Sequence, residues 1–228
     1  MRPGDLTMLT VHHLNNSRSQ RVLWLLEELE LPYEIKHYQR DAKTMLAPPE
    51  LKAVHPLGKS PVITDGAATL AETGAIIETL CENYAGGRLK PPVGTEERLR
   101  WIYWMHYAEG SAMPPLLMKL VFSTMPDRAP ALMRPLVRGI AKQTQDSFID
   151  PQLKAHFDYW ESELGKSEWF AGNDFSAADV MMSFPVEAAA DRGGALVGRP
   201  RIAEFLKKIH ARPAYQRALE KGGPYAYA

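Results

Sequence analysis

His55-Pro56-Leu57-Gly58-Lys59-Ser60-Pro61-Val62-Ile63-Thr64-Asp65-Gly66-Ala67-Ala68-Thr69-Leu70-Ala71-Glu72-Thr73-Gly74-Ala75-Ile76 organises the first third of the chain. The short apolar runs at 61–64 and 68–71 flank an Asp65-Gly66 turn, the pattern of two antiparallel strands joined by a tight hairpin. A helix is expected over 73–84, with Ala75, Ile76, Leu80 and Tyr84 on its inner face. Pro61 opens the first strand, although proline lacks the N–H that a central strand needs. Either the strand is an edge and the bond is trans, or the Ser60–Pro61 bond is cis, a form found at about 5% of X-Pro positions. A cis bend turns the backbone N–H and C=O of Ser60 outward, where an extended peptide can pair with them.

Upstream, residues 6–11 form a mostly apolar run that reads as a strand, followed by a polar loop over 12–19. From Arg21 onward, Val22, Leu25, Leu26 and Leu29 recur at helical spacing, and Pro32 ends that helix. Residues 33–39 read as a second strand, with Tyr33, Ile35 and His37 sharing a side. The segment 41–54, with Pro48 and Pro49, is an irregular or short helical connection.

Downstream, three glycines and two prolines in residues 85–94 have a linker's composition. Everything beyond it reads as helix. Thr95 suits an N-cap with Glu96 and Glu97 in the first turn, and the helix passes Trp101, Trp104 and Tyr107 before a break is expected at Pro114-Pro115. Later helices begin near Pro151, Ser176, Pro200 and Pro213. The order is therefore βαβ, then ββα, then helices only: an α/β N-terminal domain and an all-α C-terminal domain.

Composition narrows the function. Lys plus Arg number 27, as do Asp plus Glu, so no electrostatic footprint for nucleic acid or an anionic membrane is present and a small substrate is expected. The one cysteine, Cys81, excludes an internal disulfide and, with no CxxC partner, reads as a packed core thiol. Neither a leader-like N-terminus nor an apolar stretch of membrane-spanning length is visible, so a cytoplasmic location is expected. The seven histidines are scattered without HxxxH spacing, and no metal site is expected.

Three positions carry candidate chemistry, and each alone reads first as structure. Ser17 sits ahead of the first helix, beside Asn15, Asn16 and Arg18; it is a plain N-cap or a hydroxyl that donates to a thiolate. Each unit taken off a thiol pKa of about 8.5 is about 1.4 kcal/mol of preference for the thiolate. Ser60-Pro61 is the possible cis bend. Glu72-Thr73, where strand gives way to helix, is a simple cap or a place for an amino-acid head-group, with free N–H groups for its carboxylate and an acid for its amine.

The three fall within segments that resemble a cytosolic glutathione S-transferase: Asn15-Asn16-Ser17-Arg18-Ser19-Gln20-Arg21, then His55 through Ile63, then Glu72-Thr73-Gly74-Ala75-Ile76-Ile77. Trp169-Phe170-Ala171-Gly172-Asn173-Asp174-Phe175-Ser176-Ala177-Ala178-Asp179 resembles the family's buried capping motif, in which Ser176 caps a helix and Asp179 reaches back to the same turn. Tyr107-Ala108-Glu109-Gly110-Ser111-Ala112-Met113-Pro114-Pro115 resembles a fungal and bacterial branch of that family. The resemblance covers nearly the whole chain. It implies a thioredoxin-like domain with a mixed four-stranded sheet over 1–84, a linker over 85–94 and an all-helical domain over 95–228.

By the same resemblance Ser17 matches the thiolate-stabilising hydroxyl, Ser60 the residue before the cis Pro61, Glu72 and Thr73 the γ-glutamyl site, and Lys59 a contact to the glycine end. Some bacterial relatives use an asparagine near the first helix, so Asn15, Asn16 or Arg18 are alternatives that share or replace the role of Ser17. The basic residue that several serine-type classes carry before Ser60 is missing at Thr44-Met45-Leu46-Ala47, leaving Arg40 or Lys43 as substitutes. Tyr107, Ser111 and Met113 are candidates for an apolar electrophile pocket. The implied activity is conjugation of glutathione to a small hydrophobic electrophile, with glutathione as co-substrate, no metal, and a homodimer to which Arg100 and Glu109 are candidate contacts. Glutathione-dependent reduction of peroxides or disulfides, and a non-catalytic binding module of the same fold, are the alternatives. A maleylacetoacetate-type isomerase is disfavoured because its Ser-Ser-Cys signature is absent.

Overall fold

A computed structural model describes residues 8–227 of the 228-residue chain. The α/β part contains strands β1 (Leu9–Leu14), β2 (Tyr33–Tyr38), β3 (Val62–Asp65) and β4 (Ala68–Ala71), with helices α1 (Ser19–Leu29), α2 (Pro49–Val54) and α3 (Thr73–Asn83). The sheet order is β2-β1-β3-β4: β1 pairs parallel with β2, and antiparallel pairs join β1 to β3 and β3 to β4. This mixed sheet follows from the connections, since β1 and β2 are joined through α1 and only β3 and β4 share a tight hairpin. Four strands with helices against them form the thioredoxin-like half, and only helices follow.

Several boundaries differ from the sequence expectation. The expected first strand began at Leu6, which with Thr7 lies outside the described residues. The strand runs on through His12, His13 and Leu14, which the polarity of 12–19 assigned to a loop; these residues instead pair with Lys36, His37 and Tyr38. Their polarity is met locally, His12 Nδ1 lying 2.8 Å from the Tyr38 hydroxyl. In β2, Tyr33 and Ile35 are half-buried while His37 is exposed and Tyr38 buried, because the strand forms the sheet edge. The hairpin loop is Gly66-Ala67, with Asp65 still paired to Ala68 and Gly66 taking φ +54°. On α3 the buried face is Ile76, Ile77, Leu80 and Cys81, whereas Ala75 is exposed.

The helical part comprises α4 (Glu96–Tyr107), α5 (Met113–Arg128), α6 (Arg134–Thr144), α7 (Asp150–Leu164), α8 (Ala177–Arg192), α9 (Pro200–His210) and α10 (Pro213–Gly222). Thr95 caps α4 by accepting the Arg98 N–H at 3.2 Å. The break expected at Pro114-Pro115 is instead a π-helical turn over Ala108–Ala112, after which the prolines occupy the first turn of α5, where their missing N–H groups cost nothing. Trp104, Tyr107, Tyr159 and Phe170 form an aromatic cluster between α4, α7 and the segment before α8. Ser176 caps α8, and the buried Asp179 accepts from the N–H groups of Phe170 and Ser176, each at 2.9 Å. Burial pushes that carboxyl up to about 6 against these donors.

Helix α1 holds the two halves together. It packs on β1 and α3 on one side and on α8 and α10 on the other. Burial therefore goes all round it, Gln20, Arg21 and Glu27 included. Glu27 is met by partners from afar, accepting from Tyr33 Oη at 2.6 Å and Arg217 Nε at 2.7 Å, whereas the Gln20 amide is buried without a hydrogen-bond partner among the described residues.

Candidate active site

The sheet brings three separated segments to one end. His12 pairs with Val62, and Val62 with Ala71, so the loop leaving β1, the residue preceding Pro61 and the β4–α3 junction lie side by side. The Ser60–Pro61 peptide is cis. The Ser60 hydroxyl donates to the His12 carbonyl at 3.0 Å and lies 3.4 Å from the Leu14 N–H, which fixes the bend against the end of β1. Ser17 lies across from it, its hydroxyl 3.4 Å from Ser60 Oγ.

Ser17 is buried at 4% exposure, and its oxygen accepts the Ser19 N–H at 3.2 Å. It precedes α1, whose Gln20 and Arg21 N–H groups turn back to the Ser17 and Arg18 carbonyls and whose positive dipole end lies on this side. Glu72, on the other flank, holds φ +73° and ψ 121°, an unusual backbone for a residue with a Cβ, immediately before α3. Its carboxylate has no ion pair among the described residues, nor has Lys59, and both are exposed. Thr73 is buried, and its hydroxyl accepts from Arg21 Nη2 at 3.4 Å.

The neighbours of Ser17 are committed elsewhere. Asn15 Oδ1 accepts the Arg40 N–H at 2.9 Å, and the Arg40 side chain donates to the Asn15 and Met45 carbonyls. Asn16, at φ +47°, accepts the Ala226 N–H through Oδ1 at 2.9 Å, so the C-terminal segment lies against this loop. Arg18 pairs with Glu109 at 2.9 Å. Lys43 is exposed, on the turn closed by Asp41.

One pairing that ties this layout together, Arg21 with Glu109, is absent from the sequence reading. Arg21, fully buried, donates to the Met181 carbonyl at 2.6 Å, to Thr73 and to Glu109, tying α1 to α3, α8 and the π turn. Glu109 is thereby a contact within the chain; against the opposing effect of burial, the two guanidinium groups hold its carboxyl below the usual carboxylate range. Arg100 is likewise occupied, by Glu163 at 3.0 Å and the Phe170 carbonyl at 2.9 Å. No local pattern announces such pairs, since Arg21 and Glu109 are 88 residues apart.

Of the proposed electrophile-pocket residues, Tyr107 is buried, with its hydroxyl accepting from Trp160 Nε1 at 3.0 Å and bonded to His156, so that end faces the helical core. Ser111 is exposed and Met113 buried. No hydrogen bond or ion pair joins these three to Ser17 or Ser60 among the described residues; Glu109 is the link from this segment. Cys81 is buried, and burial pushes its thiol up to about 12. Among the described residues no cluster of His, Cys, Asp or Glu suited to a metal ion occurs, and no helix is long and apolar enough to cross a membrane.

Comparison with known proteins agrees with this geometry. Residues 17–83 match the family model of the glutathione S-transferase N-terminal domain, and 132–222 that of the C-terminal domain. Glutathione S-transferase 3 of Schizosaccharomyces pombe is 36% identical, over 94% of this chain and 88% of its own length. Glutathione S-transferase 1 of Saccharomyces cerevisiae is 34% identical, covering 95% and 96%. Among solved structures, a glutathione S-transferase from Actinobacillus pleuropneumoniae superposes with a TM-score of 0.77 at 32% identity, over 94% of this chain and 93% of that one.

Proposed function

The chain belongs to the glutathione S-transferase family, and from that premise we propose that it conjugates the glutathione thiolate to small hydrophobic electrophiles. The observation that carries the reading is the pair of Ser17 and Ser60 hydroxyls, 3.4 Å apart beside the cis Pro61. Glutathione lies extended along this end of the sheet. The backbone of Ser60 pairs with the peptide, Glu72 takes the γ-glutamyl amine, the N–H groups opening α3 take its carboxylate, and Lys59 reaches the glycine carboxylate.

That alignment puts the sulfur near Ser17. Hydrogen bonding to the charged form, together with the N-terminal end of α1, lowers the thiol pKa towards neutrality. The thiolate then attacks an electrophilic carbon; a C–S bond forms, the leaving group departs with its electron pair, and no covalent enzyme intermediate is needed. Arg18 is the weakest alternative to the hydroxyl, since its guanidinium pairs with Glu109, whereas Asn15 and Asn16 are engaged through Oδ1 alone and keep amide donors for the same role.

The test is direct. Calorimetry with glutathione, followed by turnover of an aromatic halide, is run on the parent and on Ser17→Ala. Retained binding with a loss of roughly tenfold or more in turnover supports the reading, one such charge-assisted hydrogen bond being worth about 1.5–3 kcal/mol. Absent glutathione binding in the parent makes the protein a non-catalytic module, and full activity in the variant removes Ser17 from the chemistry.

A homodimer and a cytoplasmic location complete the proposal. Exposed Ile102 and Tyr103 on α4 and Leu117 and Val121 on α5 supply apolar surface for a second copy. A monomeric mass at micromolar concentration overturns the dimer.

A further inference from the structure

The Ser17 hydroxyl is the outer end of a buried chain. Its oxygen lies 2.7 Å from the Ser19 hydroxyl oxygen, and that hydroxyl lies 2.9 Å from Nδ1 of His13. Ser19 is fully buried and His13 is 4% exposed, so bulk water does not stand in for these partners. The three residues come from β1, the loop after it and the first turn of α1.

Counting protons along the chain gives it a direction. A hydroxyl has one proton, so if Ser17 donates into the groove, its oxygen must receive the Ser19 proton at the 2.7 Å contact. The Ser19 oxygen must in turn receive a proton from His13 Nδ1. If His13 carries its proton on Nε2 instead, Nδ1 accepts from Ser19, Ser19 accepts from Ser17, and Ser17 shows the groove only lone pairs. A lone pair repels a thiolate, whereas a proton stabilises it. The other acceptor open to the Ser19 hydroxyl, the Leu14 carbonyl, is 3.5 Å away, at the limit of a hydrogen bond.

We propose that His13, acting through Ser19, is a positioning residue that aims the Ser17 proton into the groove, and that a bound thiolate selects the tautomer with hydrogen on Nδ1. The inference rests on Ser17 being the thiol-stabilising hydroxyl. Two neighbours face the ring: His37, edge-on with centroids 5.6 Å apart, and the backbone of Gly222 at the end of α10, whose carbonyl competes for a proton on Nε2. Burial, helped by His37, holds the imidazole down at about 4, so at neutral pH the ring is uncharged and has one proton to place.

The experiment follows the absorbance of the bound glutathione thiolate against pH in the parent, Ser17→Ala, Ser19→Ala, His13→Leu and His13→Asn. The nitrogen-15 shifts of His13 are recorded in the parent with and without glutathione. Ser19→Ala and His13→Leu are expected to bind glutathione but raise its thiol pKa by about one unit, a tenfold loss of thiolate well below that pKa. His13→Asn, whose amide keeps a donor near the place of Nδ1, is expected to restore most of the shift. The parent's His13 is expected to carry hydrogen on Nδ1 in the complex. If Ser17→Ala raises the thiol pKa while Ser19→Ala leaves it at the parent value, the relay is wrong and the Ser17 reading stands. If Ser17→Ala leaves it unchanged, both fall. Hydrogen on Nε2 in the glutathione complex overturns the relay without recourse to any variant.

Discussion

Acidifying the protein from pH 8 to pH 4 should withdraw a definite amount of stability through His13 alone. The ring is 4% exposed and held down to about 4, against an ordinary histidine value of 6.5. The folded state therefore keeps it neutral, while the unfolded chain takes up a proton once the pH falls below 6.5. A base whose folded pKa is depressed contributes its full stability above the unfolded value and loses it as the pH falls towards the folded one. Integrating the proton difference gives losses of about 1 kcal/mol at pH 6, about 2 kcal/mol at pH 5 and about 3 kcal/mol at pH 4. For a chain of this length, about 2 kcal/mol is a fall in Tm of about 4–8 °C. Carboxylates titrate in the lower part of the same window, so the assay is a difference: urea unfolding of the parent and of His13→Asn at each pH. The gap between the two free energies should narrow by the amounts above on acidification. Parallel curves from pH 8 to pH 4 would refute the claim that the imidazole is buried in its neutral form.

Glu109→Ala should destabilise the protein by about 2 kcal/mol in urea unfolding, because it strips the fully buried Arg21 of its carboxylate. That lies below the roughly 3–5 kcal/mol expected for a pair buried on both sides, since the Glu109 side chain is 34% exposed. The same carboxyl is held below its usual range, so its contribution is present above that range and is lost as the pH falls through the depressed folded value; the Glu109→Ala difference should shrink in that acidic window. Asp179→Ala should cost about 2–4 kcal/mol in the same assay by orphaning the Phe170 and Ser176 N–H groups. Cys81 should resist an aromatic disulfide reagent in the folded protein and react at once in denaturant; rapid labelling of the native state would contradict its burial.

Signals local in the chain identified the architecture. The hairpin of 62–71, the apolar spacing of Val22, Leu25, Leu26 and Leu29, the Thr95 cap and the Ser176-to-Asp179 capping box each lie within one or two turns of backbone, where spacing dictates geometry. The candidate site was legible to the same extent: Ser17, Ser60 and Glu72-Thr73 stand at boundaries between elements, and boundaries carry residue preferences of their own. What the chain order does not encode is which boundary meets which. The 3.4 Å approach of Ser17 to Ser60, 43 residues apart, follows from the pairing of β1 with β3.

Apart from the Ser176-to-Asp179 cap, the polar interior was decided by tertiary structure. Taken locally, His12 and His13 mark a loop, Arg21 opens a run of helical spacing and Glu109 is a candidate contact to a second subunit. In the fold each lies against a partner from another element: Tyr38, Ser19, Met181 with Thr73, and Arg18 with Arg21 at the start of α1. A polar side chain bears a large penalty for leaving water unless a partner is waiting, and that partner is known only once the elements have packed. Periodicity reads the preference of each residue for water; the fold determines whether something else can take water's place.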